Sequence, residues 1–123
     1  MKVLININLN DEQLQQIKDV SPEVQVIRHS SAGEMLEAMP EVDALFGALS
    51  EKMFARADRL KWVQIGSAGV DENLFPEFVE SDIVFTSAKG IVGIHLAEHA
   101  MALLLGLSRG IATAIRNPNW NQR

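Results

Sequence analysis

Five short apolar runs, each set apart from the next by a stretch with helical spacing, constrain this chain more than any other feature. Lys2 to Ile7, Val24 to Arg28, Asp43 to Gly47, Lys61 to Ile65 and Ile83 to Thr86 are four to six residues long and rich in Val and Ile. Most are bounded by turn formers, the pattern of buried strands. Between the first two, Leu14, Ile17 and Val20 recur at helical spacing, with Asn10 placed to cap the helix and Gln13 three residues on. Ser31 and Glu34 repeat that capping pattern ahead of Met35, Leu36 and Met39, and Pro40 is expected to end the second helix. Ser50 is placed to cap a third helix carrying Met53, Phe54 and Leu60, whereas Asn73 to Ser81 reads as a short helical turn interrupted by Pro76.

Strands that alternate with helices imply right-handed βαβ crossovers, which lay helices on both faces of a parallel sheet. The expected fold is therefore α/β, a flavodoxin-like five-stranded parallel sheet. In such sheets ligands gather at the carboxyl ends of the strands. The loops to watch are Asn8 to Asp11, Gly47 to Ser50, Gly66 to Asp71 and Ser87 to Gly93. From Gly93 to about Gly110 follows a long helix with Ile94, Leu96, Met101, Leu103, Leu104, Leu105 and Leu107 distributed around it. A helix that is apolar on every side expects burial on every side. One domain covers only one of those faces, so self-association through residues 94 to 107 is expected.

Charge and composition narrow the partners. All 16 acidic residues lie at or before Glu98, while Arg109, Arg116 and Arg123 follow it, giving a net charge of −5. Nucleic-acid binding rests on clustered Lys and Arg, so no nucleic-acid partner is expected. Basic residues late in a helix instead favour its negative end. The chain has no cysteine, which excludes a disulfide framework and a thiolate metal site and fits a reducing, cytoplasmic setting. The amino terminus is too polar for a secretory segment, and Ala100 to Leu107 falls far short of the ~20 residues that span a bilayer, so no membrane partner is expected.

Three constellations compete for the chemistry. The turn IGSAGVD, residues 65 to 71, leaves the end of the fourth run. Its glycines, Gly66 and Gly69, are expected to give the backbone φ > 0 and bring main-chain N–H groups close to an anion. His95, Glu98 and His99 spell H-x-x-E-H, two histidines one helical turn apart as in zinc hydrolases. No acidic residue follows Glu98 to complete a zinc site, so no metal is expected. A phospho-receiver domain shares the topology, and Lys89 stands where its lysine would. Its acceptor is missing, since Phe46, Gly47 and Ala48 occupy the end of the third run and Asn6 and Asn8 follow the first.

The order of the pieces from about residue 60 onward resembles the D-2-hydroxyacid dehydrogenase family. An apolar strand ending in IGSAGVD is followed by Asp82 to Thr86, a loop, LAEHAMALLLGLSRG at residues 96 to 110, and an Asn-rich segment with Trp120. The first 60 residues share only the topology. The resemblance implies that backbone N–H groups of Ala68 and Gly69, with Ser67 and Val70 beside them, bind the carboxylate of a small 2-hydroxy or 2-keto acid. It places Gly47 and Ala48, in the loop reaching to Leu49, along the substrate pocket. It also puts Gly93 and Ile94 where the nicotinamide half of NAD or NADP approaches. Where the family reads Asn-x-Pro after the fifth strand, this chain has Ser87, Ala88 and Lys89, and Lys89 adds a positive charge near an acidic substrate.

The resemblance also implies what these 123 residues do not contain. There is no G-x-G-x-x-G, and the catalytic Arg, Glu and His of the family would lie later. Residues 1–92 are thus expected to be the substrate-binding domain of an NAD(P)-dependent oxidoreductase, with 93–123 a linker helix leading to a nucleotide-binding domain beyond. Alone, the fragment is expected to bind no cofactor and to be inactive. The alternative is a non-enzymatic module of the same fold that binds a small carboxylate.

Overall fold

A computed structural model describes residues 1–28 and 31–117. Its strands are β1 (Lys2–Ile5), β2 (Gln25–Arg28), β3 (Ala44–Phe46), β4 (Trp62–Gln64) and β5 (Val84–Thr86). They form one parallel sheet in the order β2-β1-β3-β4-β5. Each strand lies inside the run that marks it in the sequence and is shorter by one or two residues. The ends of those runs leave the ladder to build the loops around it.

Register puts Ile27, Leu4, Leu45, Val63 and Phe85 in a single row across all five strands. Side chains alternate between faces along a strand, so that row defines one face of the sheet. The helices packed on it are α2 (Ala32–Ala38), α3 (Glu51–Phe54) and α4 (Pro76–Val79). Met39, Val42, Leu49, Met53 and Phe78 join Leu4, Leu45 and Val63 in the core beneath them. Four phenylalanines interlock at one end of this layer. Phe78 packs edge-on against Phe54 and Phe85, with ring centroids 5.9 and 5.2 Å away, and Phe75 lies 5.6 Å from it. Helix α1 (Asp11–Asp19) covers the opposite face, where Ile17 and Val20 meet Val3, Ile5 and Phe46 around an apolar cleft of about 300 Å³.

Local chemistry sets the helix starts. Asn10 and Gln13 satisfy each other's backbone N–H groups at 2.8 and 3.0 Å, a complete capping box for α1. Ser31 and Ser50 accept from the backbone N–H of Glu34 and Met53, capping α2 and α3. Pro40 falls in a 3-10 turn, Met39–Glu41, directly after α2. Pro76 starts α4 instead of interrupting a turn, because the first helical position needs no N–H and suits proline's fixed φ.

At the amino edge of the sheet, the Lys2 backbone N–H donates to Asp43 at 2.8 Å and the Arg59 guanidinium at 2.9 Å. These contacts hold the Asp43 carboxyl below its ordinary range. Asp43 opens β3 from below, at the end of the sheet remote from the ligand loops.

The chain divides into two compact units, Met1–Lys89 and Gly90–Arg123. In the second, α5 (Gly93–Ser108) is followed by α6 (Ile111–Arg116). Gly110, at φ +65°, ends α5 in the left-handed conformation that closes many helices. Ile94, Leu96, Leu104 and Leu107 of α5 are all exposed. Among the described residues no helix is long and apolar enough to cross a membrane.

Candidate functional site

The carboxyl ends of β3 and β4 lie side by side, and the loops leaving them carry most of the residues singled out by sequence. The IGSAGVD turn projects from β4 with Gly66, Ser67, Ala68 and Gly69 exposed. Among the described residues, the backbone N–H groups from Gly66 through Val70 donate to no protein acceptor. The turn is nonetheless held in shape from both sides. The Ser67 hydroxyl donates to the Gly69 carbonyl at 2.8 Å. Ala88 donates its N–H to the Ser67 carbonyl at 3.0 Å, and Asn73 donates to the Val70 carbonyl at 2.9 Å. The carbonyls of Ser67, Gly69 and Val70 are thus occupied and the N–H groups open, a polarity that suits an anion.

The conformational reason expected for this turn is not the one observed. Neither Gly66 nor Gly69 has positive φ; among the described residues of the first unit only Gly47 does, at +134°. A Cβ on Gly66 or Gly69 would meet nothing within 4 Å. These two glycines stand beside open space, and the left-handed backbone lies on the neighbouring strand's loop instead.

At that loop the chain is tied at three successive residues. The Gly47 N–H donates to the Gln64 carbonyl at 2.8 Å. The Asn6 side-chain amide donates to the Ala48 carbonyl at 2.8 Å. Leu49 donates its N–H to the Asn73 side-chain oxygen at 3.2 Å. Gly47 and Leu49 are buried, and Ala48 presents its methyl group to solvent. Asn73 is 8% exposed, the one buried polar residue among those described. Neither asparagine stands out in the sequence as a site residue. Asn6 follows β1 in a stretch where polar residues are unremarkable, and Asn73 sits in an acidic turn whose partner is 24 residues away.

The remaining residues named from sequence are placed as follows. Lys89 is exposed, next to the Ala88 whose N–H holds the turn. Gly93 and Ile94 open α5 in the second unit. His95, Glu98 and His99 are exposed on that helix, and no group of three His, Cys, Asp or Glu among the described residues is arranged to hold a metal ion. Trp120 lies outside the described residues. A dinucleotide needs a glycine-rich turn leading into a helix, and the residues present do not supply that fingerprint.

Comparison with known proteins places this arrangement. The chain is 26% identical over 129 residues to a D-3-phosphoglycerate dehydrogenase of Synechocystis, an alignment covering 99% of this chain and 23% of the relative. It is 30% identical over 121 residues to a D-3-phosphoglycerate dehydrogenase of Archaeoglobus fulgidus, covering 95% of this chain and again 23% of the relative. The chain therefore spans about a quarter of the length of these curated relatives. In fold it is similar to a D-isomer specific 2-hydroxyacid dehydrogenase family protein from Aeromonas salmonicida, with a TM-score of 0.76 at 20% identity over 99% of this chain and 41% of the other. The pattern of the D-isomer specific 2-hydroxyacid dehydrogenase catalytic domain matches residues 3–118. The chain belongs to the D-isomer specific 2-hydroxyacid dehydrogenase family.

Proposed function

We propose that the first unit is the substrate-holding part of an NAD(P)-dependent oxidoreductase that interconverts a small D-2-hydroxy acid and its 2-keto acid. One observation carries the reading: a run of open backbone N–H groups from Gly66 through Val70, at the carboxyl end of a central strand of a sheet whose family acts on such acids. Ala68 and Gly69 bind the substrate carboxylate, Ser67 and Val70 shape the turn around it, and Gly47 and Ala48 line the side-chain end of the pocket. Neutral backbone donors hold the anion without titrating over the working pH range. Lys89 raises the positive potential beside the turn.

Hydride transfer needs a nicotinamide, an acid–base group and this anchor together. Residues 1–123 contain no G-x-G-x-x-G, so the fragment supplies the anchor and neither binds the cofactor nor turns over substrate by itself. Gly93 and Ile94 would face the nicotinamide in the full-length enzyme.

Titration of the isotope-labelled chain with 2-oxobutyrate, followed by amide NMR, tests the anchor. Shifts concentrated in residues 66–70 and 47–49 are expected. Saturating shifts elsewhere, or none at concentrations well above those of ordinary metabolites, would refute it. Oxidation of NADH by the purified chain with any 2-keto acid would refute the inactivity of the fragment.

A further inference from the structure

We propose that Asn73, with Asn6, is a positioning residue that joins the two substrate loops and sets how strictly the pocket selects the side chain of its 2-keto acid. The proposal rests on the anchor reading above. It goes beyond it by assigning specificity to residues that need not touch the ligand.

A buried amide is costly unless it is hydrogen-bonded, so a buried asparagine is retained where its bonds fix something. Asn73 makes one bond to each loop. Its backbone N–H holds the Val70 carbonyl at the end of the β4 turn, and its side-chain oxygen holds the Leu49 N–H in the β3 loop. Outside the strands, no other residue described here bonds to both. From the opposite side, the Asn6 amide, donating to the Ala48 carbonyl, pins the peptide before Leu49. The loop from Gly47 to Leu49 is therefore fixed at each residue to a different segment: β4, the residue that follows β1, and the turn after β4.

The wall so fixed is small and uncharged. It consists of the backbone of Gly47, the methyl of Ala48 and the peptide of Leu49. A wall held at three points cannot retreat from an added methylene, and a pocket that cannot retreat discriminates by size. Remove the buried tie and the wall yields, while the open N–H groups of the β4 turn still hold the carboxylate.

The test compares pyruvate with 4-methyl-2-oxopentanoate, titrated separately into the labelled 123-residue chain and into Asn73→Ala and Asn73→Asp variants, with the thermal midpoint of each recorded. Asp keeps an oxygen to accept the Leu49 N–H; Ala does not. The natural chain is expected to favour the smaller acid by about tenfold, the scale set by a poorly accommodated methylene group. Asn73→Ala should bring that ratio below about threefold. Asn73→Asp should keep the natural ratio even if its midpoint falls as far as that of the alanine variant. A merely structural asparagine would lower the midpoint in both variants and leave the ratio alone, and that result would overturn the proposal. An aspartate variant that lost selectivity like alanine would overturn it too. Should Asn73→Ala fail to fold, Asn6→Ala loosens the same loop from a less buried position. An unchanged ratio there, in a folded protein, is equally fatal. If neither acid moves residues 66–70 of the natural chain, the anchor reading fails first and this proposal with it. If they move and the ratio does not respond to the variants, only this proposal fails.

Discussion

Asn6 and Gly47 share one space: a Cβ built on Gly47 would stand 1.5 Å from the Asn6 side-chain oxygen. That oxygen is buried and has no hydrogen-bond partner among the described residues. It faces the Cα–H of Gly47 at a backbone φ of +134°, where only glycine is at ease. The end of β3 therefore excludes side chains twice over, by conformation and by collision.

Gly47→Ala should accordingly destabilise the chain by about 2–4 kcal/mol, adding backbone strain to overpacking. In the double variant Asn6→Ala/Gly47→Ala the collision with Asn6 is gone, leaving the strain and a tight 3.1 Å approach to the Ile7 side chain. Urea unfolding of the four proteins should show the double variant more stable than the sum of the singles predicts, by about 1 kcal/mol or more. Strict additivity would mean that the two residues do not compete for space.

The capping box of α1 gives a local test. Asn10→Ala removes the acceptor of the Gln13 N–H and should cost about 1 kcal/mol, whereas Asn10→Ser or Asn10→Asp should stay within a few tenths. Equal losses in all three would place the effect outside the cap.

Phe78 is 3% exposed and touches three other rings. Phe78→Ala should cost about 3–5 kcal/mol, a large share of the roughly 5–15 kcal/mol that holds a domain folded, and Phe78→Leu markedly less. Circular dichroism of the two variants distinguishes the outcomes.

Acid should weaken the fold through Asp43. The Lys2 backbone N–H and the Arg59 guanidinium lower its folded pKa below the ordinary 3.8. A lowered folded pKa contributes stability at pH above the unfolded value and loses it as pH falls through the folded one. The stability gap between the natural chain and Asp43→Asn should thus be widest above the ordinary carboxylate range and close as the pH falls below it. Glu41, shifted the same way by its ion pair with Lys2, leaves the variant a residual acid dependence. A gap that widens in acid would reverse the assignment.

The exposed leucines of α5 predict self-association of the isolated chain. Leu96 is 64% exposed and Leu107 78% exposed, a run of greasy surface that water disfavours. Sedimentation should show dimers or larger species, and Leu96→Glu together with Leu104→Glu should shift the population toward monomer. A natural chain that stays monomeric at high concentration would count against the apolar surface as an interface.

Periodicity and capping are local properties, and both were legible before any coordinates. The unbroken apolar run of Val3, Leu4 and Ile5 marks a strand covered on both sides, and Asn10 with Gln13 marks a helix start, because the groups that interact lie within a few residues of each other. The candidate turn was legible in the same way, as a glycine-containing segment leaving an apolar run. Its mechanism was not. Sequence assigns left-handed backbone to Gly66 and Gly69, while between these loops the structure uses it at Gly47, where the Asn6 side chain, brought in from beyond β1, occupies the space a Cβ would take.

The sequence by itself determined the class of fold and the strand and helix order through short-range spacing, and the family through the resemblance carried by the order of its motifs from about residue 60 onward. Only the tertiary structure decided which N–H groups stay open and what holds the loops around them. The Asn6 tie to Ala48 crosses 42 residues of chain and the Asn73 tie to Leu49 crosses 24. Bonds of that kind depend on which strands become neighbours, and an asparagine looks the same in sequence whether it joins two loops or faces water.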